Sequence, residues 1–336
     1  MNDLETIRNR FPGISCAHRD AAGRVTTKCF GFADQEANKP VDENTAFPAC
    51  SISKFITAIC IMKEYEQGRI DIEKPVNLYL RSWKLLTSSG DESDAPIRSL
   101  MNHTSGIIDG EDGFYGLRIS DPYVSLMDVL DGKTSYNKRP ARENNPYGTE
   151  FEYSDAGFCV LQMMLEDIEQ RPYEVIADEF VFKQLNLNYT FFASLENLSS
   201  YEQKITMATG YDENGQAIPG KFPQMPDLAA SGLWSTPKDL LAIAEEFTKA
   251  CNGESNLLQA ESALKMATPS ERFPWAGLGI FMDGENKLSI SGWGENGQSR
   301  LKFNYRTGEA DVVMVNQNPG VPQEESGVEW LINNVF

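Results

Sequence analysis

Both ends of the chain read as strands and the middle reads as helix. Residues 14–32 place two short apolar stretches around Arg19-Asp-Ala-Ala-Gly-Arg24, the pattern of a β-hairpin. Residues 301–305 and 310–316 flank Arg306-Thr-Gly-Glu309 in the same way, and residues 275–283 and 287–291 read as two more strands around Gly284-Glu-Asn286. Between these ends the apolar spacing turns helical over residues 51–67, 156–170 and 173–185. Thr236-Pro237 supplies an N-cap and a first-position proline for a helix through about Cys251, and a last amphipathic helix is expected over residues 324–334. The ends are therefore expected to pair into one sheet around a helical insertion. The fold class is α/β in the broad α+β sense: a mainly antiparallel sheet, flanked by helices, from residues 1–70 and 225–336. Residues 71–224 form a mostly helical inserted domain, with the active site in the cleft between the two.

The chain of 336 residues, 41% apolar, has ample core for one large or two intimate domains. A formal charge of −19 repels nucleic-acid phosphates and anionic lipid, and no apolar run approaches a membrane span. The expected partner is a small molecule or short peptide, and the sequence leaves the oligomeric state open. The N-terminus shows no signal peptide, so cytoplasm is the expectation unless a leader has been removed. The six cysteines show no zinc-like spacing and read as reduced thiols, although Cys16 and Cys29 flank the first hairpin turn at equal distance and could face each other. With only His18 and His103, neither a multi-histidine metal site nor a Ser-His-Asp triad is easily built. No metal or organic cofactor is called for.

Ser51-Ile-Ser-Lys54 is the most informative tetrapeptide. A serine and a lysine three apart at a helix start share one face. Burial and the helix N-terminus both disfavour a lysine's charge, so Lys54 could act as base on the Ser51 hydroxyl, and the helix N-terminus offers a backbone N–H to an oxyanion. Taken alone, the tetrapeptide is also readable as a capping serine beside a solvated lysine.

The stretch Thr45-Ala-Phe-Pro-Ala-Cys-Ser-Ile-Ser-Lys-Phe-Ile-Thr-Ala58 resembles the nucleophile segment of the serine β-lactamase and penicillin-binding-protein superfamily, in the branch with class C β-lactamases, D-aminopeptidases and carboxylesterases. Matches follow in the family's order at Gly31-Phe-Ala-Asp34, Pro75-Val-Asn-Leu-Tyr-Leu80, Leu100-Met-Asn-His-Thr-Ser-Gly106, Tyr147-Gly-Thr-Glu-Phe-Glu-Tyr-Ser-Asp155 and Ala229-Ala-Ser-Gly-Leu-Trp-Ser-Thr-Pro-Lys-Asp-Leu240. The resemblance runs from about Pro12 to Val315.

It implies a serine hydrolase working through an acyl-enzyme, with Ser51, Lys54 and Tyr153 as catalytic residues and Tyr153 as proton shuttle. Where the family has an asparagine two residues after that tyrosine this chain has Asp155, an acceptor in place of a donor, which also reads as the cap of the following helix. The family's third motif opens on a lysine or histidine; counting back from Gly297 places Ser291 there, so the cation is missing. Trp293-Gly294 resembles the Trp-Gly of some family esterases, and Gly294 is the expected second oxyanion donor beside Ser51. Ser291, Trp293, Asp155 and Glu295 are expected to border the substrate, the two acids adding negative charge. His103 is expected in a structural turn away from the nucleophile, and Trp234 in the core.

Without the cation that would pair a substrate carboxylate, the expected substrate is a neutral or amine-bearing ester or amide, unless Arg300 or Lys302 substitutes from the same strand. The alternatives are a β-lactamase or D,D-carboxypeptidase and, in another class, a binding or sensing module that has lost turnover.

Overall fold

The computed structural model describes residues 4–111 and 113–336. Its centre is a seven-stranded antiparallel sheet that the two chain ends build together. β1 (Gly13–Arg19) pairs with β2 (Val25–Asp34) on one side and with the last strand, Ala310–Val315, on the other, Ile14 lying opposite Val315. Onward from Ala310–Val315 the order is Gly297–Asn304, Lys287–Gly294 and the two-residue strand Phe281–Met282; Lys39–Pro40 closes the far edge beyond β2. In chain order we number Lys39–Pro40 β3, Phe47–Cys50 β4, Leu233–Ser235 β5, Phe281–Met282 β6, Lys287–Gly294 β7, Gly297–Asn304 β8 and Ala310–Val315 β9. β4 and β5 pair outside this sheet.

Alternation along the strands gives the sheet two apolar faces. One packs on α1 (Ser53–Glu66) and α3 (Pro237–Cys251), which enclose the main core with α2 (Asp155–Glu169); the other is covered by Leu4–Arg8 and α4 (Val328–Asn334). α1 is buried on every side from Ser53 to Glu64, which suits a helix enclosed by sheet and insertion alike. Residues 71–224 are short helices, turns and two-residue strands around α2. Among the described residues no helix is long and apolar enough to cross a membrane.

Several expectations change in detail. In the first hairpin Ser15 lies opposite Cys29 and Cys16 opposite Lys28, so the two cysteines are one position out of register. Side chains alternate between faces, and Cys16 points into the α4-side core while Cys29 packs against the main core; both are free thiols. The strand expected over residues 275–283 shrinks to β6, because Gly277 and Gly279 thread tightly past other backbone. A Cβ on Gly279 (φ 70°) would sit 2.7 Å from the Lys54 carbonyl oxygen. The last helix is broken at Gly327 (φ 110°) into Gln323–Ser326 and α4. After Tyr173–Ala177, the helix expected to reach residue 185 continues as a π-helical turn, Asp178–Phe182.

Candidate active site

The nucleophile segment leaves β4 through Cys50, whose φ of 48° turns the chain sharply before α1 begins at Ser53. Ser51 thus precedes the helix proper by two residues, and its side chain opens into a cleft while remaining 8% exposed. Lys54, one turn on, is 1% exposed. Its Nζ donates to Ser51 Oγ (3.1 Å), Asp155 Oδ1 (2.5 Å) and the Ala230 carbonyl (2.9 Å). Three acceptors around one nitrogen match the three protons of an ammonium.

That corrects the expected electrostatics. Burial pushes the Lys54 pKa down, but the Asp155 carboxylate and Tyr153 together outweigh it, and the net direction is upward. At rest Lys54 is charged and has no lone pair for the serine proton. Asp155 is therefore the charged partner that, with Tyr153, keeps Lys54 protonated.

Tyr153 lies over this group, its ring centroid 4.9 Å from Lys54 Nζ. Desolvation raises its pKa and Lys54 opposes that rise, leaving it raised overall. α2 is capped by Ser154, whose Oγ accepts from Gly157 N–H, rather than by Asp155, which is the first helical residue. Sequence reading missed the group that locks this junction. Asp109 accepts from Ser154 Oγ (2.7 Å) and from the N–H of Asp155 (2.6 Å), and burial followed by the Asp155 charge pushes its carboxyl up to about 7. His103 is structural, as expected, but not remote. It is 2% exposed with φ 61°, its Nδ1 accepts from Ser154 N–H (3.1 Å), and its ring stacks on Tyr153 at 4.3 Å. Burial, aided by Lys54, holds its pKa far below the ordinary value, so the ring is neutral. Trp234 belongs to the core, edge-on to Phe222.

The opposite wall is the edge of β7. The Asn286 carbonyl accepts from Tyr305 N–H, and one residue later the Lys287 carbonyl accepts from Asp283 on the other side. The antiparallel alternation then points the N–H of Gly294 across the two-residue turn to Gly297, and those of Ser291 and Trp293 to the outer edge. β6 covers that edge only at Leu288 and Ser289. The N–H of Gly294, expected to face the substrate, is thus turned into the hairpin, and that of Trp293 faces the open edge.

The cleft between these walls, of about 490 Å³, is lined by Ser51, Tyr153, Asp155, Ser291, Trp293 and Arg300, with Phe281 and Gln323 among residues the sequence did not single out. Trp293 is 44% exposed and is anchored by Nε1 to Asn318 Oδ1 at 2.7 Å. Arg300 and Lys302 lie on β8, not on the strand of Ser291 as expected, because the chain turns back at Glu295-Asn296; Arg300, across the β7–β8 ladder from Ser291, donates to the Ser291 hydroxyl. Its charge is matched by Glu329, 3.3 Å from Nε, and by Glu324, 3.8 Å from Nη1. Glu295 does not face the cleft; it accepts from Arg118 Nη1 and the Gly116 N–H. The acidity expected there is neutralised.

A serine hydroxyl hydrogen-bonded to a buried lysine under a tyrosine, at the free edge of an antiparallel sheet, defines an active-site-serine architecture. The chain belongs to the Beta-lactamase family, whose model matches residues 2–330. Protein flp of Staphylococcus aureus (strain N315) is 23% identical over 250 residues, 73% of this chain and 45% of that protein. The chain spans about half the length of such curated relatives. The octameric penicillin-binding protein homologue from Pyrococcus abyssi superposes with a TM-score of 0.78 at 22% identity, over 99% of this chain and 75% of that one. The D-amino acid amidase from Ochrobactrum anthropi SV3 superposes with a TM-score of 0.75 at 19% identity, over 98% and 96%. At these identities the superpositions establish the fold alone.

Proposed function

We propose that the protein is a serine hydrolase that forms an acyl-enzyme on Ser51. The observation that carries this reading is the Ser51–Lys54–Tyr153 cluster at the mouth of a cleft whose far wall is an unpaired strand edge. Because Lys54 rests as an ammonium, the general base is the Lys54–Tyr153 pair after the loss of one proton, whichever of the two has lost it. That pair takes the Ser51 proton as the oxygen attacks the carbonyl and returns it to the leaving group. The N–H groups of Ser51 and Trp293 hold the oxyanion. Water then releases the acyl group by the same route.

The substrate is an ester or amide with a neutral or amine-bearing acyl side, as in the D-amino acid amidases among the structural neighbours. This preference now rests on Arg300 being committed to Glu329 and Ser291, and no longer on surplus acid at Glu295. A second reading, a penicillin-like or D-Ala-D-Ala-like carboxylate substrate, is favoured by the presence of Arg300 on the cleft wall at all.

Intact-mass measurement after fluorophosphonate treatment tests the nucleophile. The expected result is one adduct on the wild-type chain, none on Ser51→Ala, and turnover of a nitrophenyl ester only by the former. An unlabelled wild-type chain points instead to a binding module on this fold. Penicillin turnover that outpaces neutral esters and disappears in Arg300→Ala would establish the second reading.

A further inference from the structure

We propose that Glu295 and Arg118 form a clasp between the inserted segment and the sheet, making Glu295 a positioning residue for the β7 edge that faces Ser51. This rests on the acyl-enzyme reading for its consequence, though not for its geometry. Glu295 occupies the two-residue turn between β7 and β8, two positions beyond Trp293, and is only 8% exposed. One carboxylate oxygen accepts the Gly116 N–H and the other accepts Arg118 Nη1. Those partners are themselves fixed. The Arg118 N–H donates to Asp121 Oδ2 (2.7 Å), the Arg118 carbonyl accepts from Gln224 Nε2 (3.2 Å), and the neighbouring Leu117 carbonyl accepts from Gln224 N–H (3.2 Å).

Two further contacts locate the same hairpin tip. Asn296 is wedged against Gly210, where an added Cβ would come within 2.5 Å of the asparagine Cβ, and the Trp293 indole is held by Asn318. The tip is therefore pinned from three directions, and the carboxylate supplies the charged tie to the inserted segment at Gly116 and Arg118. Strand geometry puts Trp293 only about 7 Å of chain from Glu295, at roughly 3.3 Å per residue, so movement of the tip is transmitted to the Trp293 N–H. A displacement on the order of 1 Å at an oriented group costs about 10²-fold in rate.

The test compares Glu295→Gln, Glu295→Ala, Arg118→Ala and the Glu295→Ala/Arg118→Ala double variant. It reads the rate of Ser51 labelling by fluorophosphonate, hydrogen exchange across residues 288–298, and thermal melting. Expected are 10- to 100-fold slower labelling for both alanine variants, an intermediate loss for Glu295→Gln, and faster exchange at the hairpin tip with α1 still protected. The double variant should be no slower than the slower single one, because the two residues act through each other. Wild-type labelling in a folded Glu295→Ala chain overturns the clasp, as does slower labelling with unchanged exchange at the tip, which would mean direct contact with the reaction. If the wild-type chain takes no label, the acyl-enzyme reading falls and hydrogen exchange alone decides the clasp.

Discussion

Replacing Asp155 with asparagine removes the charge that faces Lys54 while keeping the shape of the side chain. In the native chain the carboxylate sits 2.5 Å from Lys54 Nζ and holds a fully buried ammonium in its charged state. Two unit charges about 4 Å apart interact by about 4 kcal/mol at an effective dielectric constant of about 20, equivalent to about three pH units. Asp155 raises the pKa of both Lys54 and Tyr153, so its removal makes the first proton of the pair easier to lose whichever residue gives it up. Desolvation, which the carboxylate now overrides, would then act on Lys54 unopposed. The sign follows directly. The rising limb of kcat/KM for a neutral nitrophenyl ester should move toward acid by about three pH units, and the variant should outperform the wild type near neutrality. The assay is kcat/KM from pH 5 to 10, with fluorophosphonate labelling of Ser51 at each pH to separate acylation from later steps. A limb at the wild-type position in a folded, labelled Asp155→Asn chain would refute the idea that Asp155 controls the base.

Three further outcomes follow from the same geometry. Lys54→Met leaves the Asp155 carboxylate without its cation and should lower stability by about 3–5 kcal/mol in urea unfolding, whereas Lys54→Met/Asp155→Asn should recover most of that loss. Lys54 itself has its folded pKa above the unfolded value. Its contribution to stability is therefore fully present below the ordinary lysine pKa and declines as pH rises through the folded one, so alkaline rather than neutral pH should reveal its loss in the urea midpoint. Asp109 runs the other way: its carboxyl, raised to about 7, keeps its proton in the folded chain where the unfolded chain has lost it, so its contribution falls as pH rises from about 4 to 7. Asp109→Asn should flatten the pH dependence of the urea midpoint across that window, and an unchanged slope would count against the assignment.

Much of the architecture is legible in local pattern. The hairpins around Ala21 and Thr307, the helix that opens at Thr236-Pro237, and the Ser51/Lys54 spacing each follow from periodicity, turn chemistry or capping within a few residues of chain. Errors of detail arise where a remote part of the chain decides. Nothing near residue 277 announces that Gly279 must pass the start of α1, and nothing near Gly327 shows that Ile7 would lie 2.9 Å from an added Cβ there. A one-residue difference in hairpin register is enough to send Cys16 and Cys29 to opposite faces.

By itself the sequence determined the reactive residue types, their order and the family, because these are carried by contiguous motifs. Only the tertiary structure decided their charge states and aim. Asp155 reaches Lys54 from 101 residues away and reverses the direction of its pKa shift. Arg118 reaches Glu295 across 177 residues and takes its charge out of the cleft. Strand alternation favours the N–H of Trp293 over that of Gly294 at the open edge. Electrostatic energy depends on distance and burial in space, neither of which sequence spacing encodes for groups brought together by the fold.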